Sequence, residues 1–199
     1  MSTGYAIAYR LGITPWERAG EVARAGFEQL LAREEAERSR PWGRALDLGC
    51  GRGLHTHELA ERGWHAVGID NIPRAVEAAR GAGPSGATFV VGDVTDLGSA
   101  GLGAFDFFLD VGCFHGLSPE QRAAEARGVT ALAGPGATVL LLAFQPTSVP
   151  ILPGGVTQAD VEQAFSGWDL LSVEAADSSG MPGPLKKTAP RWYRLRRNG

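Results

Sequence analysis

Residues 47–53 read DLGCGRG, so an aspartate precedes three glycines at alternate positions. Glycine has no Cβ, and the backbone at such positions can turn sharply and let a ligand approach closely. The run follows an apolar segment, residues 45–48, and precedes a predicted helix, residues 54–62, that Gly63 ends. A tight turn without a ligand has the same pattern, so the run alone leaves both interpretations open.

Two more carboxylates follow the next two predicted strands. Asp70 stands about twenty residues after the glycines, where a carboxylate can accept hydrogen bonds from ribose hydroxyls. Asp93 can accept one from the exocyclic amine of adenine, with Val94 packed on the ring. A helix N-cap is the alternative for Asp70, and a solvated turn for Asp93. Because the carboxyl ends of parallel strands meet at one edge, Asp47, Asp70 and Asp93 together indicate a nucleoside site.

Strands and helices alternate along most of the chain. Continuous apolar runs predict strands buried on both faces, at residues 45–48, 65–69, 88–91, 105–109, 137–144, 168–173 and 191–196. Helices are predicted at residues 14–40, 54–62, 73–80, 118–132 and 157–165. Thr14, Ser118 and Thr157 provide N-caps for three of them. The last two strands have no helix between them, which predicts an antiparallel pair.

Length and composition narrow the class of protein. The chain has 199 residues, 44% of them hydrophobic, which favours one domain with a sizeable core. A net charge of −3 argues against nucleic acid as a partner. The longest apolar run, residues 137–144, is too short to span a membrane, and no signal-peptide pattern starts the chain. Cys50 and Cys113 lie in apolar segments and predict reduced thiols in a cytoplasmic protein.

The motifs resemble those of the class I S-adenosylmethionine-dependent methyltransferases. The residues that carry the resemblance are 47–53, Asp70 and Asp93. Residues 105–117, FDFFLDVGCFHGL, are similar to the fourth motif of that family, with His115-Gly116 where two histidines are usual. The resemblance implies an α/β, Rossmann-like class I methyltransferase fold. Such a fold has a seven-stranded, mostly parallel sheet with helices on both faces and an antiparallel final strand.

Shorter motifs narrow the branch of the family. Residues 12–17, GITPWE, resemble the thiopurine- and tellurite-type enzymes. Residues 110–115, DVGCFH, resemble small bacterial methyltransferases that act on heterocyclic or phenolic toxins and on quinones. The resemblance implies a single methyltransferase domain over residues 1–199, with residues 1–40 as an N-terminal arm and lid helix and residues 41–199 as the cofactor-binding core.

The resemblance implies S-adenosyl-L-methionine as the cofactor. Asp47 would orient the glycine turn and the cofactor's amino group, and Asp70 would hold the ribose. Asp110 and Val111 would face the methionyl part, and Trp16 would either close over the cofactor or pack at a helix start. The implied cofactor-binding residues are Trp16, Asp47, Gly49, Cys50, Gly51, Gly53, Asp70, Asn71, Ile72, Asp93, Val94, Asp110 and Val111.

His115 is the candidate catalytic residue, because it follows the fourth strand and a histidine can titrate near neutral pH. It would be a general base if the acceptor is a hydroxyl or thiol; alternatively it only shapes the pocket. The candidate substrate-binding residues are Tyr5, Tyr9, Phe114 and His115, since aromatic rings can form a slot for a planar molecule. Core packing is the alternative for Phe114.

The predicted function is methyl transfer to oxygen, nitrogen or sulfur of a small aromatic or heterocyclic molecule. Two alternatives are a nicotinamide-dependent oxidoreductase and a non-methylating protein of the same fold that binds the cofactor. The spacing of Gly49, Gly51 and Gly53 differs from G-x-G-x-x-G, which counts against the oxidoreductase. No metal is predicted, because His55 and His57 do not share a helix face and no cluster has metal-ligand spacing. The predicted partner is a small-molecule substrate, with no nucleic acid or membrane, in a cytoplasmic monomer or homodimer.

Overall fold

The computed structural model describes residues 24–81, 86–147, 154–179, 181 and 186–199. The helices are α1 (Arg24–Ala36), α2 (Leu54–Arg62), α3 (Pro73–Gly81), α4 (Pro119–Leu132) and α5 (Gln158–Ala164). The strands are β1 (Arg44–Leu48), β2 (His65–Asp70), β3 (Thr88–Val91), β4 (Phe105–Val111), β5 (Ala133–Ala143), β6 (Trp168–Ala175) and β7 (Arg191–Arg197). Short 3₁₀ helices cover Val94–Ala100 and Phe114–Gly116.

The strands form one sheet in the order β3-β2-β1-β4-β5-β7-β6. β1 pairs in parallel with β2 and β4, β2 with β3, and β4 with β5, whereas β7 runs antiparallel to β5 and β6. The strand order reverses between β1 and β4, and ligands of open α/β sheets bind outside the carboxyl ends of the strands at such a switch point. The predicted fold class and the antiparallel last pair are confirmed.

Buried apolar side chains cover both faces of the sheet. On one face, Val129 of α4 packs in a cluster with Phe108 of β4. On the other, Phe27 of α1 and Leu59 of α2 pack with Phe107 of β4. Successive strand residues point to opposite faces, so Phe107 and Phe108 serve different layers. Two helical layers thereby hold the strand ends, and those ends carry the candidate site.

Capping residues start two helices at the predicted places. The Ser118 hydroxyl accepts from the Gln121 amide at 3.3 Å, and the Gln121 side chain accepts from the Ser118 amide at 3.0 Å. Thr157 and Asp160 form the same reciprocal pair before α5. The cap predicted at Thr14 lies outside the described residues.

Two element boundaries differ from the prediction by about four residues. α1 ends at Ala36 rather than near residue 40, and the chain leaves it through a turn in which the Arg38 amide donates to the Glu35 carbonyl. β5 begins at Ala133 rather than at residue 137, because Ala133 pairs with Phe105 of β4. The sequence Gly134-Pro135-Gly136, which is typical of a turn, therefore lies within the strand, where the register with β4 is irregular.

Candidate functional site

Residues 49–53, called the glycine loop below, connect β1 to α2 at the switch point. Gly49, Gly51 and Gly53 have φ values of 68°, 55° and 81°, in the left-handed region that residues with a Cβ rarely adopt. The amides of Gly49 and Cys50 donate to the Ile69 carbonyl at 2.9 and 3.1 Å. These bonds tie the loop to the end of β2, so it lies across the carboxyl ends of β1 and β2.

Close packing also requires glycine at both ends of the loop. A Cβ on Gly49 would lie 2.8 Å from the Cβ of Cys113, and a Cβ on Gly53 would lie 2.6 Å from the ring of Phe89. Both distances are shorter than van der Waals contact. The loop backbone therefore rests directly on the turn after β4 and on β3. The contact of these glycines with a cofactor stays a prediction.

Asp70, the last residue of β2, joins two backbone amides. Its Oδ2 accepts from the Gly51 amide at 2.9 Å and its Oδ1 from the Ile72 amide at 2.8 Å. Burial raises the pKa of Asp70, and the two hydrogen bonds oppose that rise. Ile72 directly precedes α3, so Asp70 orders the turn before that helix and is not its N-cap, whose side chain would accept from the second or third helical amide. Each carboxylate oxygen keeps another acceptor position, and the predicted contact of Asp70 with ribose hydroxyls stays a prediction.

Asp47 of β1 is buried beneath the glycine loop. The hydroxyl of Thr56 in α2 donates to its Oδ2 at 2.6 Å. Burial raises the pKa of Asp47 to about 7, the bond from Thr56 opposes the rise, and the charges of Asp110 and Asp70 add to it. Asp47 thus fixes the start of the loop to α2, which is the orienting part of its predicted role. Its contact with a cofactor amino group stays a prediction.

Asp110 of β4 is fully buried beside Glu125 of α4. It accepts from the Cys113 amide at 2.8 Å and the Phe114 amide at 3.0 Å, and so shapes the turn after β4. Burial raises the pKa of both carboxyl groups, and the charge of Asp110 raises that of Glu125 further. The pair therefore holds a proton at neutral pH. The predicted approach of Asp110 to the methionyl part of the cofactor stays a prediction.

Asp110, Cys113 and Glu125 are also residue types that bind metals. One ligand atom from each lies within 4.8 Å of the others. Metal binding needs the thiolate, and burial raises the pKa of the Cys113 thiol well above its usual range. The absence of a metal stays a prediction.

Three buried acidic side chains lie around the glycine loop. The side chains of Asp47, Asp70 and Asp110 are 2%, 6% and 0% exposed. In the part of the chain that the structure describes, none of the three forms an ion pair. Because a buried charge without a partner is costly, this edge of the sheet favours a ligand that brings positive charge.

The segment after β3 combines an exposed cap with a buried side chain. Asp93 Oδ1 accepts from the amide and the hydroxyl of Thr95, at 2.8 and 2.7 Å, and so caps the 3₁₀ helix Val94–Ala100. The sequence did not predict that helix. Val94 is 3% exposed and packs in the core with Leu97. The solvated-turn interpretation of Asp93 therefore fits, and an adenine contact through its other oxygen stays a prediction.

Four further candidates lie around the same edge. Asn71 Oδ1 is buried and has no hydrogen-bond partner among the described residues, and Ile72 is half-buried. Burial raises the pKa of the Cys50 thiol, so the thiol is not activated as a nucleophile. Val111 is half-buried and packs against the core on the α1 side of the sheet.

His115 lies in the short 3₁₀ helix after β4. Its ring stacks on Phe144, with centroids 4.2 Å and planes 22° apart, and its Nδ1 accepts from the Phe144 amide at 3.3 Å. Burial, helped by the charge of Arg122, lowers the pKa of His115 to about 3. The ring is therefore neutral and weakly basic. Phe114 is fully buried in the core beside Phe165, which supports core packing over substrate contact.

Several predicted residues lie outside the part of the chain described. They are Tyr5, Tyr9 and Trp16, whose predicted contacts stay predictions.

Sequence reasoning missed Glu125, Phe144 and Arg122. Glu125 stands beside Ala126 and one turn before Val129, both buried, so a charged residue on the apolar face of α4 was the available signal. Phe144 and Arg122 reach His115 only through the tertiary fold, and no local pattern marks them.

Residues 45–136 match the family described as "Methyltransferase domain". This span runs from β1 into β5 and contains the glycine loop, Asp70 and His115. With the observed sheet order, the match shows a methyltransferase domain of the class I S-adenosylmethionine-dependent type over residues 45–136.

One curated relative is named as a methyltransferase of a small molecule. The chain is 36% identical to 2-heptyl-1-hydroxyquinolin-4(1H)-one methyltransferase of Mycobacteroides abscessus over 117 residues, which cover 57% of this chain and 52% of that protein. The chain thus spans about half the length of this curated relative.

Two solved structures share the fold. One is 1,6-didemethyltoxoflavin-N1-methyltransferase of Burkholderia thailandensis, with bound 1,6-didemethyltoxoflavin and S-adenosylhomocysteine. It has a TM-score of 0.74 at 21% identity, over 99% of this chain and 87% of that one. The other is magnesium protoporphyrin IX methyltransferase of Synechocystis with bound S-adenosylhomocysteine, with a TM-score of 0.71 at 19% identity, over 94% of both chains.

Proposed function

We propose that the chain uses S-adenosyl-L-methionine to methylate oxygen, nitrogen or sulfur of a small aromatic or heterocyclic molecule. The carrying observation is the charge of the site: Asp47, Asp70 and Asp110 are buried beside the glycine loop without an ion-pair partner among the described residues. S-adenosylmethionine has a positive sulfonium and a positive ammonium group, whereas a nicotinamide dinucleotide has an anionic pyrophosphate. Carboxylates attract the first and repel the second.

The residues around the glycine loop bind different parts of the cofactor. Asp70 accepts hydrogen bonds from both ribose hydroxyls while its amide partners, Gly51 and Ile72, hold it in place. Asp47 keeps the glycine loop docked on α2 through Thr56, so that the loop backbone can lie close to the methionine part.

The bound cofactor supplies a methyl group on an already activated sulfur. The protein therefore needs chiefly to align the acceptor with that methyl group and to exclude water. The turn after β4 is suited to alignment, because the amide bonds to Asp110 fix its backbone and the Phe144 ring fixes His115.

A planar heteroaromatic acceptor fits this edge of the sheet best. His115 and Phe144 stack face to face after β4 and β5, and Met181 packs on Phe144, so the three form a buried apolar cluster beside the turn. Aromatic side chains at a site favour flat acceptors, with which they make a large contact area. The hydroxyquinolone and toxoflavin enzymes named above have planar heterocycles in their names, which supports the same substrate class here.

The proposal also covers domain organisation, cellular compartment and oligomeric state. One domain covers residues 1–199, and the chain works in the cytoplasm as a monomer or homodimer, without nucleic acid. Cys50 and Cys113 are both free, which suits a reducing compartment. Within the described residues, no helix combines the length and the apolar character that crossing a bilayer requires.

The test is a product assay. The purified chain is incubated with S-adenosylmethionine and a panel of hydroxyquinolines, phenols, thiols and nitrogen heterocycles. Mass spectrometry then quantifies S-adenosylhomocysteine and the methylated acceptor. We expect the two products in equal amounts with at least one planar acceptor. Asp70→Ala should lower the rate, and the exposed Asp96→Ala, a matched control, should not. If no acceptor gives S-adenosylhomocysteine although the cofactor binds, the non-methylating alternative holds.

A further inference from the structure

The His115 ring is held through its Nδ1 atom. The Phe144 amide donates to Nδ1 at 3.3 Å, and the stacked Phe144 ring fixes the plane of the imidazole. Nδ1 must therefore carry a lone pair and no proton. A neutral imidazole has one ring proton, so that proton lies on Nε2.

Nε2 is the ring nitrogen left for a ligand. It makes no hydrogen bond within the described residues although His115 is only 4% exposed, and a buried N–H without a partner favours a ligand that supplies an acceptor. The turn that carries it packs on the glycine loop, since a Cβ on Gly49 would lie 2.8 Å from Cys113. An N–H donor is thus available at the edge of the sheet where the proposed cofactor and acceptor meet.

The charged group beside His115 is a cation. Arg122 of α4 donates to the carbonyls of His115 and Gly155 at 3.2 and 3.0 Å. Asp160 of α5 interacts electrostatically with Arg122, and no carboxylate of the described segments forms an ion pair with the His115 ring. Burial and the guanidinium both disfavour an imidazolium, as the low pKa of His115 reflects. A proton released by a substrate has no good place on this ring.

We propose that His115 is a hydrogen-bond donor for the acceptor molecule and not a general base. The inference rests on the proposed methyltransferase function and narrows its substrate class. The acceptor brings its own electron pair, as an acidic enol, phenol or N-hydroxy group that is ionised before transfer, or as a ring nitrogen. A carbonyl or anionic oxygen on the same molecule receives the Nε2–H bond.

The transfer step balances without a protein base. A lone pair of the acceptor forms a bond to the methyl carbon while the carbon–sulfur bond breaks, and its electron pair stays on sulfur. An anionic acceptor becomes neutral, a neutral ring nitrogen becomes cationic, and in both cases the cationic sulfonium becomes a neutral thioether. The acceptor loses its proton to solvent before it binds, so no group of the chain takes it.

Two variants separate a donor from a base. In His115→Gln the side-chain amide can place an N–H close to the position of Nε2, but an amide cannot take up a proton. His115→Phe keeps a ring to stack on Phe144 and removes the donor. Melting curves of both variants show whether each is folded. The wild-type pH profile is a further test that needs no variant.

Initial rates are measured from pH 5 to 10 with two phenols, one more acidic than the other. We expect the rising limb of kcat/KM to move with the acidity of the phenol, and His115→Gln to be at least about tenfold more active than His115→Phe. The donor role would be overturned if kcat/KM rose at the same pH for both phenols. It would also be overturned if His115→Gln were as inactive as His115→Phe. If the wild-type chain produces no S-adenosylhomocysteine with any acceptor, the proposed function fails, and this inference with it.

Discussion

The ribose contact of Asp70 gives the sharpest quantitative prediction. Its two oxygens each accept one backbone amide, from Gly51 and Ile72, and each keeps another acceptor position. A hydrogen bond to a charged group contributes about 1.5–3 kcal/mol, so two ribose hydroxyls would contribute about 3–6 kcal/mol. Asp70→Ala should therefore raise the dissociation constant of S-adenosylhomocysteine by at least about a hundredfold. Asp70→Asn, which keeps one acceptor oxygen, should have an intermediate effect.

Isothermal titration calorimetry measures these affinities directly. Asp70→Ala also leaves the Gly51 and Ile72 amides without their acceptor, so loop distortion could weaken binding by itself. A 2′-deoxy analogue of S-adenosylhomocysteine separates the two causes in a double cycle. We expect the deoxy analogue to bind about tenfold or more weakly than the parent ligand to the wild-type chain, and equally well to Asp70→Ala. If the missing hydroxyl costs the same affinity in both proteins, Asp70 does not hold the ribose.

Three other predictions concern charge and packing. Between pH 6 and 8 the affinity of the wild-type chain for S-adenosylhomocysteine should rise about tenfold more than that of Asp47→Asn, because a carboxyl with a pKa of about 7 must ionise beside the ammonium group. Gly53→Ala should lower the free energy of unfolding by about 2 kcal/mol, since its Cβ would meet the Phe89 ring, whereas Gly98→Ala has open space and should change it by less than about 0.5 kcal/mol. Wild-type stability should fall as pH rises above the ordinary carboxyl range, because the unfolded chain then loses the Glu125 proton that the folded chain keeps. Glu125→Gln should lose less stability over that range.

Each of these predictions has its own control. The cofactor's own ionisations are common to the wild-type chain and Asp47→Asn, so they cancel in the ratio of affinities; parallel pH profiles would show that Asp47 does not titrate in this range. Urea denaturation compares Gly53→Ala with Gly98→Ala, and equal losses would contradict the packing argument. For Glu125→Gln, the same slope of stability against pH as in the wild-type chain would show that the buried pair holds no proton.

The fold could be predicted closely because its signals are local. Capping residues such as Ser118 and Thr157 mark helix starts within four residues of sequence, and continuous apolar runs mark strands with two buried faces. The start of β5 was missed because its Gly-Pro-Gly sequence has turn character that pairing with Phe105 overrides.

The part of the candidate site that lies at the ends of strands could be predicted from the sequence. Asp47 and Asp70 follow from the rule that parallel strands end at one edge, and the structure brings both to the glycine loop. The setting of His115 could not be predicted in this way. Its Nδ1 partner is an amide 29 residues away in the sequence, at Phe144. Its cationic neighbour Arg122 belongs to no motif that is visible in the sequence.

The central claim is that this edge binds a cationic adenosyl ligand and not an anionic dinucleotide. Equilibrium dialysis of the wild-type chain with labelled S-adenosylmethionine, NAD and NADP at one ionic strength tests that claim most directly. Saturable binding of S-adenosylmethionine at one molecule per chain, without measurable binding of either dinucleotide, is the result we predict. If the chain binds NAD or NADP but not S-adenosylmethionine, the charge argument is contradicted. The glycine loop would then be a binding site for the pyrophosphate of a dinucleotide.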